Sequence, residues 1–395
     1  MKKVLLLSIV ASGLMYAGGD IAPVEPVVPA ATAPAACDFW GSIGARYDAN
    51  DDDTSTTEFG DAQNNRFLST IVLGTEQKLG YGFGLGAEVA GFFLTDGEFN
   101  KLPNKSKESA EVSQFYLTYG FDNTTIKAGR QALPKSLSPL AFSVKNLGAF
   151  ERTYNGIVVV NKDLPDTTLV GAWIRSVADG NNNTKVGDKG IFMLTAVNKS
   201  IANTTLSSSL YYAKAGNALP RDLVSAWATG ETKIDNAKLG LQLAYSKLKG
   251  LKKTIAAAAY AATNFSGLNA KLTLAYISDG AGPLTLNSFA APRGTYAPSS
   301  AFWGGTYRVF GGNASTKLGK QKIARLDLSY KIDGYGTVYG GVAVDKPDNK
   351  KTAVAARAGY KFKIYGVNGL VEYRYHKDFA GKKHQRVRLE GVYKF

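Results

Sequence analysis

A single pattern runs through residues 39–395: segments of about ten residues in which apolar and polar side chains alternate. Strict alternation predicts a β-strand with one apolar and one polar face. No stretch beyond the first seventeen residues approaches the apolar length that a transmembrane helix needs. We distinguish eighteen alternating segments: Phe39–Ala49, Arg66–Lys78, Gly82–Leu94, Glu111–Asp122, Thr124–Leu133, Asn155–Lys162, Thr167–Val177, Gly190–Lys199, Thr204–Lys214, Leu223–Ile234, Ala237–Leu248, Lys253–Thr263, Leu268–Ser278, Lys322–Ile332, Gly336–Asp345, Thr352–Lys363, Val367–Lys377 and His384–Phe395.

The connections between these segments are short and long in turn. The short ones contain the Asn, Asp and Gly residues of tight hairpins, as in Asp122-Asn123 and Asp235-Asn236. The long ones are polar, and they are Asp48–Asn65, Thr95–Ser109, Pro134–Thr153, Ala178–Lys189 and Asp279–Gln321. A soluble β-sandwich or propeller also alternates, but it does not need this rhythm. We therefore predict an all-β fold, a transmembrane antiparallel β-barrel of eighteen strands with short periplasmic turns and long outer loops. Sixteen strands result if Leu223–Ile234 and its neighbour are misread.

The first seventeen residues have the pattern of a secretory signal peptide. Met1-Lys2-Lys3 is basic, Val4–Leu14 is apolar, and Ala17 offers a small residue for cleavage. The apolar run is too short to span a membrane. Residues 18–38 are rich in proline and alanine, and we interpret them as an extended periplasmic lead-in. Cys37 is the only cysteine, so no disulfide can form within one chain.

The last segment divides its side chains between an apolar and a charged face. The apolar set is Val387, Leu389, Tyr393 and Phe395, and the charged set is Arg386, Arg388, Glu390 and Lys394. An alternating last strand that ends in phenylalanine resembles the C-terminal signature of Gram-negative outer-membrane barrels. We expect residues 39–395 to form the barrel, export through the periplasm, and a location in the cell outer membrane among outer-membrane lipid and lipopolysaccharide.

The charge of the chain is strongly basic and unevenly distributed. The formal charge is +15, but the basic residues are spread over short strands, so we expect no nucleic-acid partner. From Asp38 to Phe150 there are fourteen acids and ten bases, whereas from Lys322 to Phe395 there are sixteen bases and seven acids. In a closed barrel these stretches become opposite sectors of the wall, which predicts a transverse field that orients polar solutes.

The alternation also predicts which charged side chains point into the barrel. A charge on the lipid face near the membrane midplane costs roughly 2–4 kcal/mol, so the charged face of each strand should be the inner one. This rule gives the pore-lining candidates Arg46, Arg325, Arg357, Arg374, Arg386 and Arg388.

The connection of residues 134–153 is unusually apolar for an exposed loop, with Leu140, Phe142 and Leu147 among its residues. We predict that it folds into the barrel and narrows the passage. Its constriction candidates, with the arginine before it, are Arg130, Lys135, Lys145, Glu151 and Arg152. The rival loop is Asp279–Gln321, which contains aromatic and proline residues and would either cover the mouth as a lid or mediate contacts at the cell surface.

These residues also carry a family resemblance. Lys127-Ala128-Gly129-Arg130-Gln131 ends a strand, Ser138-Pro139-Leu140 follows in the loop, and Arg152-Thr153-Tyr154-Asn155-Gly156-Ile157-Val158-Val159 opens the next strand. This region, roughly residues 124–175, resembles the third loop of the OprD-like porins, which are substrate-selective channels with eighteen strands. The family often has a proline where Arg152 stands. The resemblance implies a channel through each monomer, with a ladder of arginines that guides solutes bearing a carboxylate.

We therefore expect passive diffusion of small hydrophilic solutes and ions, with a preference for anions or carboxylate-bearing solutes. The alternative is an adhesin or surface-binding barrel without an open pore. A homo-trimer is possible, although no sequence feature fixes the oligomeric state. We expect no enzyme activity, because the only histidines, His376 and His384, lie at the two ends of one outer hairpin without a Gly-x-Ser-x-Gly motif. We expect no cofactor and no metal site, since the acidic run at Asp51 lacks the pattern of a calcium loop.

Overall fold

The computed structural model describes residues 38–52, 65–96, 107–150, 152–179, 182–284, 302–303 and 318–395. The predicted signal peptide and most of the lead-in lie outside these residues. In the described ranges, no helix has the length and apolar character to cross a membrane.

Strands make up nearly all regular structure in the described part of the chain. In chain order they are β1 (Asp38–Asp52), β2 (Arg66–Gly80), β3 (Phe83–Asp96), β4 (Lys107–Phe121), β5 (Thr124–Gln131), β6 (Lys145–Asn146), β7 (Ala149–Phe150), β8 (Thr153–Asn161), β9 (Thr167–Asp179), β10 (Asn182–Lys185), β11 (Ile191–Asn198), β12 (Thr204–Ala213), β13 (Leu223–Ile234), β14 (Ala237–Leu248), β15 (Thr254–Phe265), β16 (Leu268–Ile277), β17 (Gln321–Ile332), β18 (Gly336–Pro347), β19 (Ala353–Ile364), β20 (Val367–Lys377) and β21 (Lys383–Lys394).

Eighteen of these strands form one closed antiparallel barrel. Each pairs with the next along the wall, and β1 pairs with β21 from Ser42 opposite Lys394 to Asp52 opposite His384, which closes the sheet. The predicted fold class is confirmed: each of the eighteen predicted segments corresponds to one barrel strand. The sixteen-strand alternative is wrong, because β13 pairs along its whole length with β14. The three short strands outside this count were not predicted: β6 and β7 form a small hairpin, and β10 prolongs the pairing of β9.

The two ends of the barrel differ in the length of their connections. At the end of the barrel where β1 begins and β21 ends, tight turns join the strands. In these turns Asp122, Asp235 and Tyr365 have φ of 46°, 48° and 47°. Such left-handed residues let a two-residue turn follow the right-handed twist of its strands. The opposite end carries the longer connections, which include the loop between β5 and β8. We call the first the periplasmic end and the second the outer end, following the asymmetry of outer-membrane barrels.

The outer face of the wall is apolar. Alternate side chains such as Ile71, Leu117, Leu241, Leu272 and Val342 are each about half exposed, which suits contact with lipid acyl chains. Aromatic rings cluster near the periplasmic end. Phe83 lies 4.6 Å from Tyr119, and Tyr393 lies 6.2 Å from Phe395, measured between ring centroids. Aromatic side chains are enriched at this depth because an amphipathic ring suits the boundary between headgroups and acyl chains.

Candidate functional site

The loop between β5 and β8 begins against the inner wall of β11 and β12. The hydroxyl of Thr195 donates to the carbonyl of Leu137 over 2.9 Å, and the backbone N–H of Leu140 donates to the hydroxyl of Tyr211 over 3.3 Å. Tyr154 donates its hydroxyl to the carbonyl of Phe142 over 3.0 Å. Leu140 and Phe142 are buried, so the apolar residues of this loop pack inside the barrel.

The tip of the same loop reaches the inner wall at β1 to β3. The hydroxyl of Thr70 on β2 donates to the carbonyl of Leu147 over 2.7 Å, and Ala149 is buried in a small cluster with Val72 and Ala90. Gly148 has φ of 89° and lies so close to β1 that a Cβ there would be 2.0 Å from the hydroxyl of Ser42. The loop is therefore attached to the wall at two separate places and crosses the interior between them.

Behind this loop, part of the interior is filled with apolar side chains. Leu219, Leu284 and Phe302 come from outer loops and join inward-facing wall residues such as Ile277 and Trp227 in one buried cluster. Beside this cluster, the backbone N–H of Trp303 donates to the side-chain oxygen of Gln242 on β14 over 2.8 Å, and its ring packs edge-on against Tyr260 at 4.8 Å. Close packing of this kind leaves no room for water, so this part of the interior cannot conduct hydrophilic solutes.

The remaining sector, from β17 through β21 to β1, carries charged side chains on its inner face. Asp48 on β1 is almost fully buried and contacts three guanidinium groups. Its carboxylate lies 3.1 Å from Arg46, 2.7 Å from Arg388 and 3.9 Å from Arg386. Since β1 and β21 are neighbours only because the barrel closes, this cluster holds the seam of the wall together. The prediction that the stretches 38–150 and 322–395 form opposite sectors is wrong, because the two stretches adjoin at this seam.

Two further carboxylates organise the arginines of β17, β19 and β20. Asp327 lies 2.9 Å from Arg357 and is also bonded to Arg325 on its own strand. Glu372 pairs with Arg374 and accepts a hydrogen bond of 2.9 Å from the hydroxyl of Tyr339. Six arginines thus contact three carboxylates on one continuous sector. This ratio leaves a positive excess on the inner wall while each guanidinium is held in place.

Lys135 belongs to the inward loop but faces the charged sector. Its ammonium lies 5.5 Å from the ring centroid of Phe142. The surrounding protein lowers the pKa of Lys135, and the charges of Lys271 on β16 and Arg325 on β17 lower it further. Lys271 in turn lies 3.7 Å above the ring of Tyr260. Lys135 is thus within range of the charges on β16 and β17, although its loop starts between β5 and β8.

Arg130 stands where the inward loop leaves β5. Its register partner is the exposed Phe115, yet its guanidinium donates to the hydroxyl of Thr153 over 2.8 Å and lies 3.9 Å from Glu111, which are both buried. Gly129 precedes it with φ of 125°, a conformation that side chains rarely adopt, and a Cβ there would be 2.4 Å from the carbonyl of Phe115. We attribute the inward direction of Arg130 to this backbone irregularity.

The predicted site residues thus fall into two groups. Arg46, Arg325, Arg357, Arg374, Arg386 and Arg388 share the charged sector. Arg130, Lys135, Lys145 and Arg152 belong to the inward loop or its edges, where Lys145 lies 5.0 Å from the ring of Trp40. Glu151 lies outside the described residues. The sequence did not lead us to predict Lys271 and Trp303 as site residues. The alternation of Leu272 and Leu274 with Lys271 is the signal that indicates its inward direction, whereas nothing local identifies Trp303.

An eighteen-stranded antiparallel barrel with an apolar outer face, a charged inner sector and an inward loop is the architecture of the porin class of membrane channels. The structure is similar to those of OccK8 (OprE) of Pseudomonas aeruginosa and OccAB4 of Acinetobacter baumannii, each with 12% sequence identity and TM-scores of 0.69 and 0.66. The similarity covers 91% of this chain and 98% of OccK8, and 92% of this chain and 99% of OccAB4. A BenF-like porin from Pseudomonas fluorescens Pf-5 is also similar, with a TM-score of 0.66, 12% identity, and coverage of 91% of this chain and 98% of that chain.

The resemblance to OprD-like porins is confirmed at the level of the fold. No protein-family model matches the chain, and no curated protein matches its sequence.

Proposed function

We propose that this protein is an outer-membrane porin through which small hydrophilic solutes and ions diffuse passively, with a preference for anions and for solutes that carry a carboxylate. The observation that carries the proposal is the charged sector: six arginines held by three carboxylates, facing Lys135 on an inward loop. The similarity to a BenF-like porin supports the channel function.

The physical argument starts from the asymmetry of the interior. Apolar side chains fill the part of the barrel interior that lies behind the inward loop. A solute therefore has to pass along the arginines on the other side. A wall of fixed positive charge with low-dielectric surroundings concentrates anions and repels cations. Arginines presented in sequence along the wall offer paired N–H donors that match the two oxygens of a carboxylate. Their acid partners keep the side chains extended along the wall and limit how tightly a solute is retained.

Liposome swelling tests this proposal. Vesicles that contain the refolded protein are mixed with a neutral sugar, a carboxylate and an amine of similar size. We expect entry of all three, fastest for the carboxylate. The double variant Arg325→Gln/Arg357→Gln should slow the carboxylate several-fold more than the sugar. The control Lys162→Gln/Lys199→Gln removes the same charge from turns at the periplasmic end and should change nothing.

Two outcomes would contradict the proposal in different ways. No swelling with any solute, from a barrel shown to be folded by its heat-dependent mobility on gels, would favour a surface-binding role. Equal swelling rates for the three solutes would support an open pore but would contradict a role of the arginines in its selectivity.

A further inference from the structure

A second set of cations lies on the opposite face of the wall, away from the passage. Lys322 on β17 continues the outward-facing row of Leu326 and Leu328, and Lys346 on β18 continues the row of Val342 and Val344. Lys322 and Lys346 are register partners, so two exposed lysines stand directly opposite each other at the outer end of adjacent strands.

The same arrangement occurs three strands further along the wall. Lys377 on β20 and Lys383 on β21 are register partners, both are exposed, and they share the outward face with Tyr373 and Leu389. Between the two pairs, β19 contributes the apolar Val354, which is the register partner of Lys377. Four lysines therefore form a row across five consecutive strands. We call these four residues the outer lysine row.

Like charges directly opposite each other on neighbouring strands destabilise a sheet. Among the described residues, none of Lys322, Lys346 and Lys377 forms an ion pair. Two carboxylates beside the Lys377–Lys383 pair have other partners: Asp51 accepts a hydrogen bond of 3.1 Å from Gln385, and Asp378 lies 3.5 Å from His384. A third carboxylate, Asp348, is exposed two residues beyond Lys346. The Lys322–Lys346 pair therefore places two like charges side by side on the outer face of the wall, with no ion-pair partner among the described residues.

The loops beside the row add positive charge and a depression. Lys350, Lys351, Asp348 and Phe379 line an open groove of about 590 Å³ between the β18–β19 and β20–β21 loops, with one more lysine than carboxylates. By contrast, the outward residues at the periplasmic ends of these strands are apolar or aromatic, such as Tyr330 and Tyr393. The cations are therefore confined to the outer edge of the apolar band.

We infer that the outer lysine row, with Lys350 and Lys351, binds the phosphate groups of the phosphorylated glycolipid of the outer leaflet, lipopolysaccharide. The acyl chains of that lipid would lie on the apolar face below the row, and its phosphates would bridge the Lys322–Lys346 and Lys377–Lys383 pairs. An ammonium group at a membrane surface is attracted to lipid phosphate, and the attraction adds up over several lysines. The inference rests on the proposed outer-membrane location but not on conduction.

The test measures binding of purified lipid A, in its bisphosphorylated and dephosphorylated forms, to the refolded protein in detergent micelles by native mass spectrometry. We expect the bisphosphorylated form to bind at least about tenfold more tightly. Lys322→Gln/Lys346→Gln/Lys377→Gln/Lys383→Gln should remove most of this difference. The matched control Lys162→Gln/Lys199→Gln/Lys233→Gln/Lys363→Gln changes the same charge at the periplasmic end and should preserve it.

Equal binding of the two lipid forms, or equal losses in the row variant and the control, would overturn the inference. Mobility on gels before and after heating verifies that both variants fold. Conductance is recorded in parallel: the row variant should conduct like the wild type, since its substitutions face away from the passage. Phosphate-dependent binding by a barrel that does not conduct would refute the porin proposal and leave this one standing.

Discussion

Arg388 holds Asp48 through two contacts, 2.7 Å from Nε to one carboxylate oxygen and 3.2 Å from a terminal nitrogen to the other. The two residues are 340 positions apart and are register partners across the seam between the last and the first strand. A paired guanidinium and carboxylate of this geometry is directional as well as strong. The residues that close the barrel are thus also residues of the charged inner sector.

The first prediction concerns this seam. Asp48→Asn removes the carboxylate that Arg46, Arg386 and Arg388 share, and it reduces the negative charge that offsets these buried guanidinium groups. Breaking a buried pair in this way costs about 3–5 kcal/mol. We therefore expect a clear fall in the unfolding temperature, which is measured as the temperature at which the protein shifts from the mobility of the folded barrel to that of the unfolded chain on gels. The control is Asp333→Asn, since Asp333 is 90% exposed in a periplasmic turn. A melting temperature equal to that of the control would refute the structural role of Asp48.

The second prediction separates the charge of the sector from its shape. Asp327→Asn keeps the side-chain volume but removes the acid that Arg325 and Arg357 share. The inner wall becomes more positive, so the preference for chloride over potassium should rise, whereas Arg357→Gln should lower it. Reversal potentials in a salt gradient give both ratios. Shifts of the same sign in the two variants would mean that the arginines do not control permeation.

The third prediction tests the attachment of the inward loop. Gly148→Ala introduces a Cβ 2.0 Å from the hydroxyl of Ser42 at a residue with φ of 89°. Overpacking and backbone strain should cost about 1–3 kcal/mol and detach the tip from β1 to β3. We expect a larger and noisier single-channel conductance. Gly171→Ala is the matched control, because a Cβ there meets no atom within 4 Å. An unchanged conductance in Gly148→Ala would show that the tip does not limit the passage.

The fourth prediction uses the position of Lys135. The lowered pKa means that this side chain loses its proton at a lower pH than an ordinary lysine does. Anion preference should therefore decrease as the buffer becomes alkaline, before ordinary lysines titrate. Lys135→Arg should keep its preference over the same range, since a guanidinium stays protonated. If wild type and Lys135→Arg respond to pH in parallel, Lys135 does not lie in the path of the ions.

The alternation of side chains was sufficient to predict the wall. Because a strand has a period of two, and because a charge facing lipid is costly, Arg325 and Leu326 had to lie on opposite faces. The predicted strands match those observed. They include β13, which would be missing in the sixteen-strand alternative. The inner direction of Arg386 on the last strand follows from the same argument.

The interior was harder to predict from the sequence because its contacts join distant residues. The hydrogen bond between Thr70 and Leu147 depends on how a loop crosses the barrel, and no periodicity encodes it. The contact of Trp303 with Gln242 has the same origin. The alternation along β5 alone would put Arg130 on the outer face of the wall, together with its exposed register partner Phe115. Its inward direction depends on the irregular backbone at Gly129, which the alternation does not reveal. The short strands β6, β7 and β10 escaped notice since two to four residues are too few to show a pattern.

The central claim is that the charged sector makes this barrel an open, anion-preferring pore. The most direct test is single-channel recording of the refolded wild-type protein in a planar bilayer, with a potassium chloride gradient across it. The account predicts discrete conductance steps and a reversal potential on the chloride side of zero. Steps that reverse on the potassium side would contradict the role of the arginines, and a folded barrel without steps would contradict the porin function itself.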